Sequence, residues 1–395
     1  MRTRTARGGR SSPIRLLQTT AFVATFDRFA MPPMLVAIAA DLGVPLSRIV
    51  QAAGVYFLAY GLMQPVWGMV SDSLGRVRTM RLTLLGAAVA TVVSAAVGSP
   101  LALAAARGVA GGFFGAAYPA SLIYLGDTVP MHRRQPEVTR LMVGVALGTA
   151  GASVGAGVVA QVLTWRVAFV VTGLAAVVLA ILLRSLPEPP RAGAARGRLL
   201  LPMGEVLRSR AALLVLALAV LEGAVLLGVL TLLPPAVEAT GASASVAGAV
   251  TAVYGLAVFG SSGLVGRLSQ RLHASRLIAL GAAAALLACL VLAVSRDPLV
   301  AVVVAVLLGL AWTSMHSSLQ TWATEVAPQA RAVVVSLFAG CLFVGSAGSA
   351  VAVAGLAQDG RYGVVFLLAA VLTVPLGLVG TWTRARWTSP QREPA

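Results

Sequence analysis

Twelve stretches of about 20 or more mostly apolar residues divide this 395-residue chain, and they restrict what it can become more than any motif does. A bilayer core about 30 Å thick needs roughly 20 apolar residues in an α-helix to cross it. Lipid admits only structures whose backbone polar groups are all paired internally, which means helices or closed barrels. These runs are long and unbroken and lack the alternation over roughly ten residues that marks barrel strands, so the chain reads as an all-α membrane protein. Composition agrees: with 58% hydrophobic and 11% charged residues, burying the apolar side chains in a soluble core would still leave an apolar surface.

The expected helices cover residues 16–40, 49–70, 77–97, 101–125, 138–163 and 167–186, then 211–233, 244–264, 276–294, 298–323, 332–356 and 364–382. Residues 1–15 form a basic tail. Bundles of six helices span 16–186 and 211–386, and 387–395 is a second tail. Between the bundles, residues 187–210 are rich in proline, glycine and arginine without apolar periodicity, which describes a solvated linker. The start has the outline of a signal peptide, but Asp27 and Arg28 interrupt the apolar core and the apolar character resumes to Ala40, so an uncleaved first helix is expected.

A net charge of +17 would suit a nucleic-acid partner if the arginines formed one basic domain. They fall instead in alternate loops: Arg76, Arg78 and Arg81, then Arg133, Arg134 and Arg140, then Arg191 to Arg210, then Arg267, Arg271 and Arg276. The intervening loops hold only Arg48, Arg166, Arg296 and Arg361. This positive-inside bias places both termini in the cytoplasm and reports topology rather than a nucleic-acid role; the expected location is the cell membrane, as a multi-pass protein of a bacterial inner membrane. Cys289 and Cys341 sit within separate helices, which gives neither a disulfide framework nor metal-ligand spacing.

The second half repeats the first. Pro32-Pro33 before Asp41 and Gly43 answers Pro234-Pro235 before Glu238 and Gly241; Val55-Tyr56 and Gly68 answer Val253-Tyr254 and Gly266; Asp127 with Pro130 answers Glu325 with Pro328. Between expected helices two and three lies Gly68-Met-Val-Ser-Asp72-Ser-Leu-Gly75-Arg76-Val-Arg78. This resembles the signature loop of the major facilitator superfamily, with Ser73 where arginine is usual and Arg78 one residue late. Arg107 with Gly111 and Gly115, the glycines from Gly144 to Gly157, and Trp165-Arg166-Val-Ala-Phe169 extend the likeness over the whole chain, closest in pattern to the twelve-helix drug/proton antiporters. In helix five Ser153 stands where that antiporter pattern has proline. The resemblance implies two parallel six-helix repeats in the major facilitator fold with a binding site at the midplane between them. It also implies a latch at the cytoplasmic ends of the helices, made by Gly68, Asp72, Gly75, Arg76 and Arg78, with Arg76 pairing with Asp127. Gln270 at the aspartate position of the second half makes that latch asymmetric.

Ionisable groups near the bilayer centre are costly, so each is a candidate for function. Asp27 lies about 18 Å along its helix from the basic start, Glu222 is at a similar depth in helix seven, and Arg107 is inside helix four. The proposed proton-coupling set is Asp27, Arg107 and Glu222, with Asp27 the expected partner of Arg107; static ion pairing is the alternative for Asp27, and snorkelling to the interface for Arg107. Arg28 points about 100° away from Asp27 and is free to face a cavity. Tyr56, Tyr60 and Gln64 share one face of helix two with Trp67, and Trp312, His316 and Gln320 share a polar, aromatic face of helix ten. With Arg28 and Tyr118 they form the expected substrate cavity, helix packing being the other reading for the tyrosines.

Neither a phosphate-binding loop nor a catalytic constellation is present in the sequence, so an ATP-driven pump and an enzyme are both disfavoured, and no cofactor is expected. The leading expectation is a monomeric, proton-coupled exporter of small amphipathic or drug-like molecules, surrounded by membrane lipid and working by alternating access. A proton symporter or uniporter for a small metabolite, an organic acid or a sugar, is the second reading, and a lipid-handling or sensor protein on the same fold is the third.

Overall fold

The computed structural model of the chain describes residues 13–189, 204, 206 and 208–388. The expected tail up to residue 12, most of the linker, with Arg191, Arg196 and Arg198, and the tail from 389 lie outside the described residues. Among the described residues there is no strand. Twelve helices are long and apolar enough to cross a membrane: α1 (Pro13–Leu42), α2 (Leu46–Leu74), α3 (Arg76–Ala96), α4 (Pro100–Thr128), α5 (Met131–Val162), α6 (Trp165–Ser185), α7 (Arg210–Glu238), α8 (Ala244–Leu268), α9 (Ala274–Val294), α10 (Pro298–Ala323), α11 (Arg331–Gln358) and α12 (Tyr362–Arg386).

Several helices overrun the apolar stretches that announce them, because hydrogen bonding continues into the polar interface until the backbone is stopped. α1 stops at Gly43, in the left-handed region at φ +62°, and α5 starts at Met131, taking in Arg133, Arg134 and Arg140. The expected loop between α2 and α3 shrinks to Gly75 alone, because Gly68 to Leu74 are helical. Gly75 has φ +107°, and a Cβ there would lie 2.7 Å from the Glu188 carboxyl, so side chain and backbone both call for glycine. Four helices are interrupted: α1 by a 3₁₀ turn at Pro32–Met34, α4 at Gly115 and Ala116, α7 by a π-turn at Gly223–Leu227, and α10 by a π-turn at Trp312–His316.

Packing repeats between the halves. α1 packs on α5, α2 on α4 and α3 on α6, as α7 packs on α11, α8 on α10 and α9 on α12. Across the halves, α2 lies along α11 and α5 along α8. These two seams are closed at one end only. At the face that carries the α1–α2 and α7–α8 turns, a Cβ on Gly248 would come within 2.1 Å of the Ser153 carbonyl, and one on Gly157 within 2.5 Å of that of Ala244. Two glutamines bolt this face. The Ser47 N–H donates to Gln358 Oε1 at 3.1 Å, and the Ser245 N–H donates to Gln161 Oε1 at 3.2 Å, each joining the start of a helix in one half to the end of a helix in the other. Toward the face bearing the arginine-rich junctions, Cβ atoms on Gly68, Gly263 and Gly266 would meet nothing within 4 Å. The halves are therefore together at one face and parted at the basic one.

Candidate functional site

Asp27 on α1 and Arg107 on α4 form an ion pair sealed from solvent, 0% and 1% exposed. Arg107 donates to both Asp27 oxygens, at 2.7 and 3.1 Å, and to the Asp27 carbonyl at 3.2 Å. The Thr91 hydroxyl of α3 adds a bond at 3.3 Å, and the rings of Tyr56 and Phe169 lie on the guanidinium, each 4.5 Å from its centre. Small residues make the cluster possible, since a Cβ on Gly111 of α4 would sit 2.4 Å from the Tyr56 carbonyl of α2. In water an ion pair is worth little; with no water beside it, removing one partner strands the other charge.

The second half holds its own acid and base. Glu222, 0% exposed and next to the π-turn of α7, lies 3.2 Å from His316 Nδ1 within the π-turn of α10. The His316 ring stacks on Trp312 with centroids 4.0 Å apart, and Glu222 Oε1 has no hydrogen-bond partner. Turns of this wider kind are rare inside α-helices and recur at functional sites. Both pairs thus join the first helix of a half to its fourth. By the repeat, Asp27 would answer a residue near 229 and Arg107 one near 305, so Glu222 precedes its place on α7 while His316 follows its place on α10. α7 and α10 run in opposite directions, so both displacements carry the second pair toward the basic face, by about 10 Å for Glu222 and about 16 Å for His316 at 1.5 Å per residue.

A cavity of about 910 Å³ opens between the halves on the basic side. α5 and α8 supply an apolar wall that includes Met142, Val145, Val258 and Phe259; α10 supplies Trp312, His316, Ser317 and Gln320; α1 supplies Arg28. The Arg28 guanidinium lies 4.6 Å from the Phe29 ring centre, 5.5 Å from that of Tyr60 and 5.9 Å from that of Phe343.

A family model described as Major Facilitator Superfamily matches residues 19–350 and 231–395. This chain belongs to the Major Facilitator Superfamily. As a superfamily member it is a multi-pass membrane transporter and not an enzyme. Its fold is similar to that of the nucleoside transporter NupG (13% identity, 94% of this chain and 99% of that chain, TM-score 0.80) and of the peptide transporter POT (14%, 94% and 94%, 0.80). It is also similar to a bacterial homologue of the human lysosomal transporter Spinster in an inward-facing, unoccupied conformation (17%, 97% and 99%, 0.77). At these identities the likeness speaks for the fold alone. A triacylglyceride transporter of Mycolicibacterium smegmatis (strain ATCC 700084 / mc(2)155) is 29% identical over 125 residues, a stretch that spans 31% of this chain and 22% of that protein.

Within this facilitator fold the expected cavity residues separate. Arg28, Trp312, His316 and Gln320 line the cavity, whereas Tyr56, Tyr60, Gln64 and Tyr118 do not appear among its lining residues. Tyr56 faces Arg107, and Tyr60 packs against Phe343 of α11 with ring centroids 4.7 Å apart, part of the seam between halves. The Tyr118 hydroxyl meets Met142 sulfur at 3.8 Å, and Trp67 donates to the Gly112 carbonyl at 2.6 Å.

At the basic face Arg76 bonds Asp127 at 3.0 Å and pairs with Asp72 one turn back on α2. Among the described residues Asp72 pairs within its own half, with Arg76, as suits a face at which the halves are apart. Glu188, which the sequence reading passed over, accepts from the Val77 and Arg78 N–H groups at 3.0 and 3.1 Å. It occupies the positive end of α3 and ties the start of the linker to the α2–α3 joint. In the second half Glu325, the counterpart of Asp127, takes a two-pronged bond from Arg384 of α12 at 2.7 and 3.1 Å. Gln161 and Gln358 also went unnoticed in the sequence. Their signal was there: Ser47 answers Ser245 at 198 residues and Gln161 answers Gln358 at 197, so the repeat extended one step further would have found both clasps.

Proposed function

We propose that this transporter couples the movement of a small amphipathic molecule to protons by alternating access, as a drug/proton antiporter does. The basic face lies in the cytoplasm of a bacterial cell, following the arginine bias of the loops, and the cavity is then open inward. One observation carries the coupling: His316 lines the cavity and, behind it, touches the buried Glu222 carboxyl, one of whose oxygens is unbonded. A proton on Glu222 removes the charge that its burial makes costly, and repacking of the π-turns as the halves rock changes what that charge can reach. Asp27 and Arg107, sealed from solvent and with both carboxylate oxygens engaged, hold α1, α3 and α4 together and open only if another cation or a proton releases the carboxylate.

Purified protein in liposomes, given an imposed pH gradient and a panel of labelled lipophilic cations, neutral drugs and organic acids, tests the reading. We expect gradient-driven accumulation in the wild type. In Glu222→Gln that accumulation is lost, while exchange of labelled for unlabelled substrate without a gradient persists. Equal gradient-driven flux in wild type and variant refutes coupling through Glu222. A lipid-handling role is the second reading, supported by the stretch similar to a triacylglyceride transporter and by the apolar α5–α8 wall. It predicts movement of labelled acylglycerols between leaflets that no pH gradient alters.

A further inference from the structure

The central charges of this molecule do not balance locally. Asp27 is fully engaged by Arg107, and Glu222 faces His316. Arg28 is different: no carboxylate lies within 4 Å of it among the described residues, and it lines the cavity; its Nε, like that of Arg107, is buried without a hydrogen-bond partner. The aromatic faces of Phe29, Tyr60 and Phe343 steady the guanidinium but leave its net charge uncancelled. A guanidinium offers five N–H donors in a plane that matches a carboxylate, and one held in poorly hydrated surroundings gains most from an anion. The neighbouring Asp27 cannot serve, because the helix turns it about 100° away toward α4.

We infer that Arg28 is the docking point for the anionic head of the substrate, whose apolar body lies along the α5–α8 wall. The inference rests on the transport reading for its biological sense, and it narrows the cargo to amphipathic anions such as aryl- or alkyl-carboxylates. Cavity chemistry decides against the obvious alternative, a lipophilic cation held by Glu222. That carboxyl is 0% exposed and does not line the cavity, so a bound cation cannot reach it in this conformation, whereas Arg28 is on the wall. The space suits the cargo too: about 910 Å³ lies within the roughly 300–1,000 Å³ that accommodates drug-sized ligands. Met142, Val145 and Phe259 offer the tail apolar contact, and Ser317 and Gln320 give the open end polar character.

The test is equilibrium binding by calorimetry to full-length protein in a neutral detergent, with phenylbutyl and dodecyl tails each carrying a carboxylate, a primary amide or an amine. Wild type is expected to bind the carboxylate of each pair about tenfold or more tightly than the amide, and the amine most weakly, since a charge-assisted bond has no counterpart in the amide. Arg28→Gln should bring the carboxylate to the level of the amide and leave amide binding unchanged, and Arg28→Lys should keep part of the preference. The wild-type series alone is decisive if a variant does not fold. Equal binding of carboxylate and amide, tighter binding of the amine, no binding of any probe, or a preference that survives Arg28→Gln overturns the proposal. Binding requires no gradient, so the two readings fail separately. A carboxylate preference without proton-driven flux sinks coupled transport and keeps the Arg28 site; flux without the preference does the reverse.

Discussion

The Asp27–Arg107 pair shows how far one buried charge depends on another. Replacing Asp27 by asparagine keeps shape and some hydrogen bonding but leaves Arg107 charged, 1% exposed and without its counter-ion. The expected cost is about 3–5 kcal/mol, as for other buried pairs that lose one partner. The double variant Asp27→Asn/Arg107→Gln, which removes both charges, should regain much of it. Unfolding midpoints in detergent check this, and a double variant no more stable than Asp27→Asn alone would show that the pair is not what holds α1 to α4. Both members of this contact were legible in the sequence, because an acid and an arginine inside apolar helices have few other places to go. The cage around them was not: Thr91, Tyr56 and Phe169 come from three further helices, and nothing in local spacing says which ring will lie on a guanidinium. The tyrosines of α2 illustrate the same limit, since a helical face is readable from spacing while the neighbour it meets is not.

Among the elements, closeness of approach is set by glycine, and the sequence shows where glycines recur but not which of them touch. On α11 a Cβ at Gly345 would lie 1.9 Å from the Val220 carbonyl of α7, while one at Gly355 would meet nothing within 4 Å. Gly345→Ala should therefore force α7 and α11 apart, lowering stability by about 1–3 kcal/mol or more. Gly355→Ala should be neutral or slightly stabilising, since alanine suits a helix better. Similar unfolding midpoints for the two variants would contradict this packing. Hydropathy recovered all twelve crossings because burial in lipid leaves a long apolar record. It missed the ends of α2 and α5, where polar residues continue the helix outside the apolar layer, and the π-turns of α7 and α10, which depend on how those helices fit their neighbours.

At the scale of the whole molecule, the two glutamine clasps hold one face shut. Each hydrogen bond is worth about 0.5–1.5 kcal/mol, so Gln161→Ala with Gln358→Ala should shift the balance between closed and open at that face by about tenfold. Labelling of a cysteine placed at Gly54, where an added Cβ would lie 3.2 Å from that of Ala350, should be faster in the double variant than in the background protein. Unchanged labelling would mean that packing, not the clasps, closes the seam. The displaced acid–base pairs have an electrical consequence. Two buried acids at depths about 10 Å apart in a core about 30 Å thick do not share one electrostatic potential when the membrane is energised. Passing a proton's charge from one depth to the other then does work of about 0.8 kcal/mol per 100 mV, a third of the full crossing. If transport is proton-coupled as proposed, flux should respond to a potassium diffusion potential even with equal pH on both sides, so that voltage would drive this carrier as well as acidity.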